Sequence, residues 1–362
     1  MSPPASNRSS RPIRSTAEFA RYVGLARTTV SRVLNGQPGL KQKTIDRVRR
    51  AMDETGFTVN AYALHLKGKR TASIGICVET LFTPPAVAKL AILQRRMRAR
   101  EVSSMIEVVD PESIRGVIRH FLSMRVSAVV FIGHFNEAEI GQRIEELSAH
   151  GIPHLVVDQA GIPNANTVSL DRRKAMAEMT RHLLGLGHDS FGLLGLSGTQ
   201  RSVQDRLGGM AEALVAAGLS LEASTLSLDH LHPRTAGDVE FGRSLARSFL
   251  AVKRVPTAFV ALNDEIAIGA IHGFQEAGVR VPEDVSVSGF NNQDICKMVK
   301  PALTSVDQQI EATVEAAADI LISKIEHGVP RTPVVRTIQP LLVIRESTAK
   351  ARSAIALRGR TG

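Results

Sequence analysis

From residue 73 onward, apolar runs of about five residues alternate with amphipathic stretches of roughly 12–18 residues, and nothing else in the sequence limits the fold as tightly. Strands separated by helices pair in parallel, and a parallel sheet must be covered on both faces. Strands are expected at Ser73–Val78, Val126–Ile132, His154–Val157, Phe191–Gly195, Thr257–Leu262 and Val285–Gly289. Helices are expected at Ala86–Arg100, Pro111–Met124, Glu137–Ala149, Arg172–Gly187, Val203–Ala217, Glu265–Ala277 and Ile310–His327. That is more than one open sheet of ordinary size holds. The break near Asp158–Asn166 predicts two similar α/β lobes with a ligand crevice between them.

The first 70 residues follow another pattern. They carry 14 Lys/Arg against 4 Asp/Glu, while the rest of the chain carries 31 of each, so the whole net charge of +10 sits at one end. A polyanionic partner, nucleic acid or an anionic membrane, is implied there. The neutral remainder is free to bind something small. Residues 1–13 are rich in Pro, Ser and Arg and read as a disordered basic arm. They contain no apolar stretch of the kind a signal peptide needs, and no 18-residue uncharged apolar run occurs anywhere, so neither export nor a membrane span is expected. Cys77 and Cys296, the two cysteines, lack metal or redox spacing and read as reduced structural thiols of a cytoplasmic protein.

Residues 15–57 show helical periodicity interrupted at Gly24, Gly36, Pro38 and Gly56, which predicts three short helices. Ser15-Thr16-Ala17-Glu18 is a capping box, and Phe19, Ala20 and Val23 follow on one face before the turn at Gly24-Leu25. Beyond the turn, Val30, Val33 and Leu34 form an apolar stripe, with Arg27, Thr28, Ser31 and Arg32 on the other side. A third helix, Thr44 to Thr55, sets Ile45, Val48 and Met52 inward and Arg47, Arg49 and Arg50 outward. Charge alone leaves a plain three-helix bundle with a solvated basic face as an equal reading of this segment.

The segment Phe19-Ala20-Arg21-Tyr22-Val23-Gly24-Leu25-Ala26-Arg27-Thr28-Thr29-Val30-Ser31-Arg32-Val33-Leu34-Asn35-Gly36 resembles the headpiece of the lactose/galactose repressor family, most specifically in Thr29–Asn35. The resemblance runs over residues 15–347 and implies an all-α helix-turn-helix headpiece followed by a two-lobed α/β domain like a periplasmic sugar-binding protein. By position, it implies base contacts from Arg27, Thr28 and Arg32, and phosphate contacts near Ser31, Asn35, Ser15, Thr16, Lys41 and Thr44. Asn60–Gly68 resembles the family's hinge, with Leu66 as a wedge between base steps and Asn60 and Lys67 at the DNA. The domains expected are a basic arm at 1–13, the helix-turn-helix at 14–57, a hinge at 58–70, an effector and dimerisation domain at 71–347 and a flexible tail at 348–362. Two departures bear on headpiece stability. Ala26 stands where the family usually has a capping serine, and Val59 where it usually has proline.

For the effector, the resemblance points to Asp158 at a strand end, Arg206 in Arg206-Leu207-Gly208-Gly209-Met210, and Asn291 where the family normally has aspartate. Asn263-Asp264 follows a buried strand; Asp264 is expected to cap the next helix and Asn263 to face the crevice. Phe82 is a candidate pocket aromatic, with a core role as the alternative. Gly237 stands where some relatives have a stacking aromatic, and the chain has no Trp and only 2 Tyr. An amide at 291 in place of a carboxylate changes an acceptor into a donor and acceptor, so the expected ligand is not a simple hexose but a charged metabolite or phosphorylated sugar.

Enzyme motifs are lacking. Gly192-x-x-Gly195-x-x-Gly198 has the wrong spacing for a dinucleotide loop, no phosphate-binding Gly-Lys loop occurs, and His230-x-His232 lacks a third ligand. Neither a cofactor nor a metal is implied, and no catalytic residue is assigned. The resulting expectation is a cytoplasmic, nucleoid-associated homodimer. It would bind a near-palindromic double-stranded operator and act most simply as a repressor, with its affinity set by a small-molecule effector. A solute-binding protein, or a sugar or nucleotide enzyme on the same two-lobed fold, is the alternative.

Overall fold

A computed structural model describes residues 13, 15–34, 37–57, 72–231, 238–327 and 332–352. The chain divides into two compact units, Met1–Thr71 and Ala72–Gly362.

The first unit holds three helices, α1 (Thr16–Val23), α2 (Arg27–Leu34) and α3 (Gln42–Thr55). Ser15 starts α1 by accepting the Glu18 amide on its hydroxyl at 3.1 Å, and Gly24, at φ +69°, ends it in the left-handed conformation that glycine tolerates. Phe19, Val23, Val30, Val48, Ala51 and Phe57 form the core, with the Phe19 and Phe57 rings stacked at 4.2 Å. Ala51 is buried where Met52 was expected; Met52 and Val33 pack at the edge of that core. α3 starts two residues earlier than expected, so Thr44 lies within its first turn and not at its first position.

The second unit contains two six-stranded sheets. The first lobe comprises β1 (Ser73–Val78), α4 (Pro84–Arg98), β2 (Ser103–Val108), α5 (Ile114–Ser123), β3 (Ala128–Ile132), α6 (Glu137–Ala149), β4 (His154–Val157) and β5 (Thr167–Leu170). The second takes up α7 (Arg172–Gly185), β6 (Phe191–Leu194), α8 (Arg201–Ala216), α9 (Leu221–Ser224), β7 (Thr225–Ser227), α10 (Asp238–Leu250), β8 (Ala258–Ala261), α11 (Asp264–Glu276), β9 (Ser286–Asn291), α12 (Ile295–Met298) and β10 (Thr304–Asp307). The chain then returns with α13 (Ile310–His327) and β11 (Val335–Ile338) to the first lobe and ends with β12 (Leu341–Val343) in the second. The orders are β11-β5-β4-β3-β1-β2 and β12-β10-β9-β8-β6-β7; all pairs are parallel except β10 with β12.

The central strands β3 and β8 are buried along their whole length, as helix-covered parallel strands require. Three crossings join the lobes, at 170–172, 307–310 and 338–341. The expected break at Asp158–Asn166 is therefore misplaced: β5 lies beyond it and still belongs to the first sheet, pairing with β4 and β11. Where the structure differs most from the expected elements is at the strands β2, β5, β7, β10, β11 and β12 and at α10, none of which was anticipated. α10 and α11 pack with backbones in close approach. A Cβ at Gly242 would lie 2.0 Å from the Ile266 carbonyl oxygen and one at Gly269 1.9 Å from that of Val239. Only glycine admits this contact, which sets Asp238 and Asn263, at the starts of the two helices, side by side.

Candidate functional site: a basic headpiece face and a charged interlobe crevice

In the three-helix unit, Arg27, Thr28 and Arg32 are exposed on α2, Ser31 is half-buried beside them, and Val30 alone on that helix is fully buried. Arg32 donates from its guanidinium to the Pro38 carbonyl at 3.3 Å, which steadies the side chain. Ser15 and Lys41 are exposed and Thr16 and Thr44 half-buried. Asn35, Asn60, Leu66 and Lys67 lie outside the described residues, as do the expected hinge 58–70, Gly237 and His232.

In the α/β unit, the carboxyl ends of both sheets open on a cavity of about 550 Å³. This is where ligands enter open α/β sheets. Phe82, Asp158, Arg206, Asn263 and Asn291 all line it, so the five expected effector residues are brought together. Asp158 directly follows β4 and Asn291 ends β9, at φ +79° and +120°, conformations costly for a residue with a side chain and typical of functional sites.

Asp158 does not stand free. Lys89 of α4 donates to both its oxygens at 2.7 and 2.6 Å and to Gln308 Oε1 at 3.0 Å. Arg172, the first residue of α7, donates to the Asp158 carbonyl at 2.8 Å and holds Nη2 3.7 Å from the carboxylate. Burial pushes the Asp158 carboxyl toward neutrality, but Lys89 and Arg172 outweigh it and hold the group below its ordinary pKa. Gln308 in turn donates its amide to Asn291 Oδ1. A hydrogen-bonded chain thus runs from α4 in the first lobe to β9 in the second.

Arg206 of α8 is 5% exposed, donates to the Leu262 carbonyl at 3.0 Å, and lies over the Phe290 ring at 3.9 Å. Burial and the neighbouring Arg172 cation pull its pKa to about 9, so it remains charged at neutral pH. Its Nε, like that of Arg172, is buried with no hydrogen-bond partner among the described residues. Burial, aided by Arg172, also drives His134 down to about 3, which keeps that imidazole neutral. Partial burial raises the Glu79 carboxyl, against the His134 amide that it accepts at 2.7 Å.

One expected role is corrected, and of the two readings of Phe82 one falls. Asn263, not Asp264, caps α11, accepting the Ile266 amide at 2.9 Å while its amide group donates to Asp238. Asp264 is buried behind it, accepting from the Gln293 amide at 2.9 Å and from the Ser305 hydroxyl. Phe82 has no core role: it is 97% exposed at the cavity mouth. Lys89, Arg172, His134, Gln308 and Glu265 are crevice residues that the sequence reading missed. Lys89 left a signal, because Pro85, Lys89, Leu93 and Met97 recur every four residues on the buried face of α4, where a lysine is out of place.

Residues 17–60 match the family described as "Bacterial regulatory proteins, lacI family" and residues 180–348 that described as "Periplasmic binding protein-like domain". The HTH-type transcriptional regulator MalR of Streptomyces coelicolor is 30% identical over 351 residues, 92% of this chain and 96% of that one. Catabolite control protein A of Staphylococcus xylosus is 28% identical over 302 residues, 81% of this chain and 87% of that one. Among solved structures, a lac repressor dimer bound to operator and the anti-inducer ONPF superposes with a TM-score of 0.82 at 23% identity, covering 94% of this chain and all of that one. The transcriptional regulator CelR in complex with cellobiose does so with a TM-score of 0.66, also at 23% identity, covering 92% of this chain and all of that one.

A helix-turn-helix unit joined in one chain to a two-lobed periplasmic-binding-like unit defines a DNA-binding transcription regulator with an effector domain. The chain belongs to the lacI family of bacterial regulatory proteins.

Proposed function

We propose that this regulator reads a near-palindromic operator as a homodimer and that a small molecule in the interlobe crevice sets its operator affinity. The observation that carries the reading is the coexistence, in one lacI-family chain, of an exposed Arg27-Thr28-Arg32 face on α2 and a crevice lined by buried charges. Arg27, Thr28 and Arg32 are assigned to base edges, and Ser15, Thr16, Ser31, Asn35, Lys41, Thr44, Asn60 and Lys67 to the DNA backbone and its grooves. Leu66 is assigned to a wedge in the minor groove, within a hinge at 58–70. Phe82, Asp158, Arg206, Asn263 and Asn291 are assigned to the effector, Asp158 through its charge on Lys89 and Arg172. The operator and anti-inducer named for the lac repressor structure and the cellobiose named for CelR support the two kinds of partner. Repression in the cytoplasm, without turnover of the effector, completes the reading.

Coupling of this kind is reciprocal: whatever factor the effector imposes on operator affinity, the operator imposes on effector affinity. Selection of the full-length protein on randomised duplex DNA at two salt concentrations tests the reading. Enrichment of a palindrome is expected. Sequence-blind binding with a steep salt dependence would reduce the N-terminal unit to a basic arm. At the selected site, Leu66→Ala should weaken specific binding far more than nonspecific binding, and equal losses would remove the wedge.

A further inference from the structure

The crevice assigned above to an effector has its charges sorted by depth. Lys89, Arg172 and Arg206 are 2%, 6% and 5% exposed, against a single carboxylate of comparable burial on the cavity wall, Asp158 at 7%. Lys89 spends its three donors on the two Asp158 oxygens and Gln308, so that pair is closed on itself. Arg206 has no carboxylate among its partners, meeting only a carbonyl and an aromatic face, while Arg172 shares Asp158 with Lys89 across 3.7 Å, donates to the Asp158 carbonyl and stands 3.5 Å from His134 Nε2. Asp205 lies near Arg172 but is engaged by Arg201 Nε at 3.2 Å. A buried cation without a counter-charge is costly, and an entering anion relieves that cost.

Toward the mouth the sign reverses. Glu79 is exposed and Asp238 and Glu265 are half-buried. Glu265 accepts from Gln293 on Oε1 at 2.8 Å, while its Oε2 is buried with no partner among the described residues. Carboxylate oxygens there accept hydroxyl protons and repel a second anion. At Asn291, an amide replaces the carboxylate that the family resemblance leads one to expect, so no negative charge stands against Gln308 there.

We propose that the crevice selects a polyhydroxylated ligand with one carboxylate or phosphate group, the anion seated at Arg172 and Arg206 and the hydroxyls at the carboxylates nearer the mouth. This rests on the crevice being the effector site and narrows what the effector is. A neutral hexose leaves the Arg206 guanidinium without a counter-charge and the three buried cations facing one buried carboxylate, and a dianion with charges at both ends meets the acidic mouth.

Calorimetry and thermal shift on the full-length protein, at constant ionic strength, compare glucose with glucuronate, glucose 6-phosphate and inorganic phosphate alone. The anionic probes are expected to bind at least about tenfold more tightly than glucose, the scale of one charge-assisted hydrogen bond; the carboxylate and phosphate arms tell which anion is preferred. Arg206→Met should cost the anions at least about tenfold. Asn291→Asp, which changes no side-chain volume, should weaken anions while sparing glucose, and circular dichroism melting reports whether each variant is folded. Glucose binding within about threefold of the anions overturns the ligand class and leaves the effector site standing. Anion binding that survives both substitutions places the anion elsewhere, as on the basic N-terminal segment, and overturns the proposal, as does the absence of saturable anion binding. Anion binding lost in both variants, with operator affinity unmoved by the ligand, upholds the site and overturns the coupling proposed above.

Discussion

Arg27 and Arg32 in the three-helix unit stand in solvent, whereas Arg172 and Arg206 in the α/β unit are almost wholly buried. Both pairs point to anionic partners, but by different physics. An exposed guanidinium keeps its hydration, its attraction is screened within about 8–10 Å by salt, and it gains affinity chiefly when phosphates release counterions. A buried one has already lost its hydration, so its neighbours are fixed by the fold and its attraction is little screened. The first unit can meet any phosphate backbone and must choose by base contacts; the second is committed to one geometry. Substitutions should accordingly act on stability in the second unit and on recognition in the first.

The largest effect is expected at Asp158. Replacing it with Ala strips Lys89 of two hydrogen bonds and leaves that cation and Arg172 buried without a counter-charge, which costs about 3–5 kcal/mol. Urea denaturation of the α/β unit followed by circular dichroism would measure it. A loss below about 1 kcal/mol, the scale of an exposed ion pair, would mean that water reaches this cluster and that the contrast between the two units fails.

A second buried charge ties the contrast to pH. Burial pushes the Asp264 carboxyl up to about 6 from an ordinary 3.8, against the hydrogen bonds from Gln293 and Ser305. A carboxyl raised on folding holds its proton more firmly in the folded state. Its contribution is therefore fully present below pH 4 and is lost as pH rises through 6, a change of about 3 kcal/mol at 1.36 kcal/mol per pKa unit. Asp264→Asn removes the titration, so the stability of the wild type relative to this variant should fall across that window. A difference that stays flat with pH would show that the carboxyl titrates in the folded protein as it does in water.

The sequence carried the two ends of this contrast unequally. The headpiece was legible almost residue by residue, because a three-helix unit of this size is built from local signals: a cap at Ser15, stops at Gly24 and Gly56, and a stripe through Phe19, Val30 and Val48. In the lobes, the strands buried on both faces were legible because they are continuous apolar runs. The strands β2, β5, β7 and β10 are Ser- and Thr-rich, and their place depends on partners distant in sequence: β5 needs β11, more than 160 residues away, to complete its pairing. Asp158, Arg206, Asn263 and Asn291 were found as strand-end or motif residues. Their partners were not, since Lys89 and Gln308 reach Asp158 across 69 and Asn291 across 17 residues of chain, and no local pattern encodes such a meeting.

On the recognition side, Arg32→Ala should relax base preference within each half-site and cost about 1–3 kcal/mol at the selected operator, with little change in headpiece stability because the side chain is exposed and makes one 3.3 Å bond to Pro38. Repeating the DNA selection with the variant decides it. A uniform loss of affinity over all sequences, with the base preference intact, would move Arg32 from a base edge to a phosphate.

The smallest effect is a gain, and it lies in the weaker unit. Ala26 opens α2: its carbonyl accepts the Val30 amide at 3.1 Å, but its methyl group cannot accept from the free amides of the first turn. Ala26→Ser supplies that acceptor and should stabilise the helix by about 1 kcal/mol. The same increment matters more here than it would in the lobes, because a unit whose core numbers seven buried apolar residues among those described has little stability in reserve. Hydrogen exchange on the full-length protein would show slower opening of the amides in α1, α2 and α3 by roughly fivefold, with the strands of the α/β unit unchanged. Were both units to slow together, the two would share one unfolding transition, and differences in stability between them could no longer be assigned to their own charges and cores.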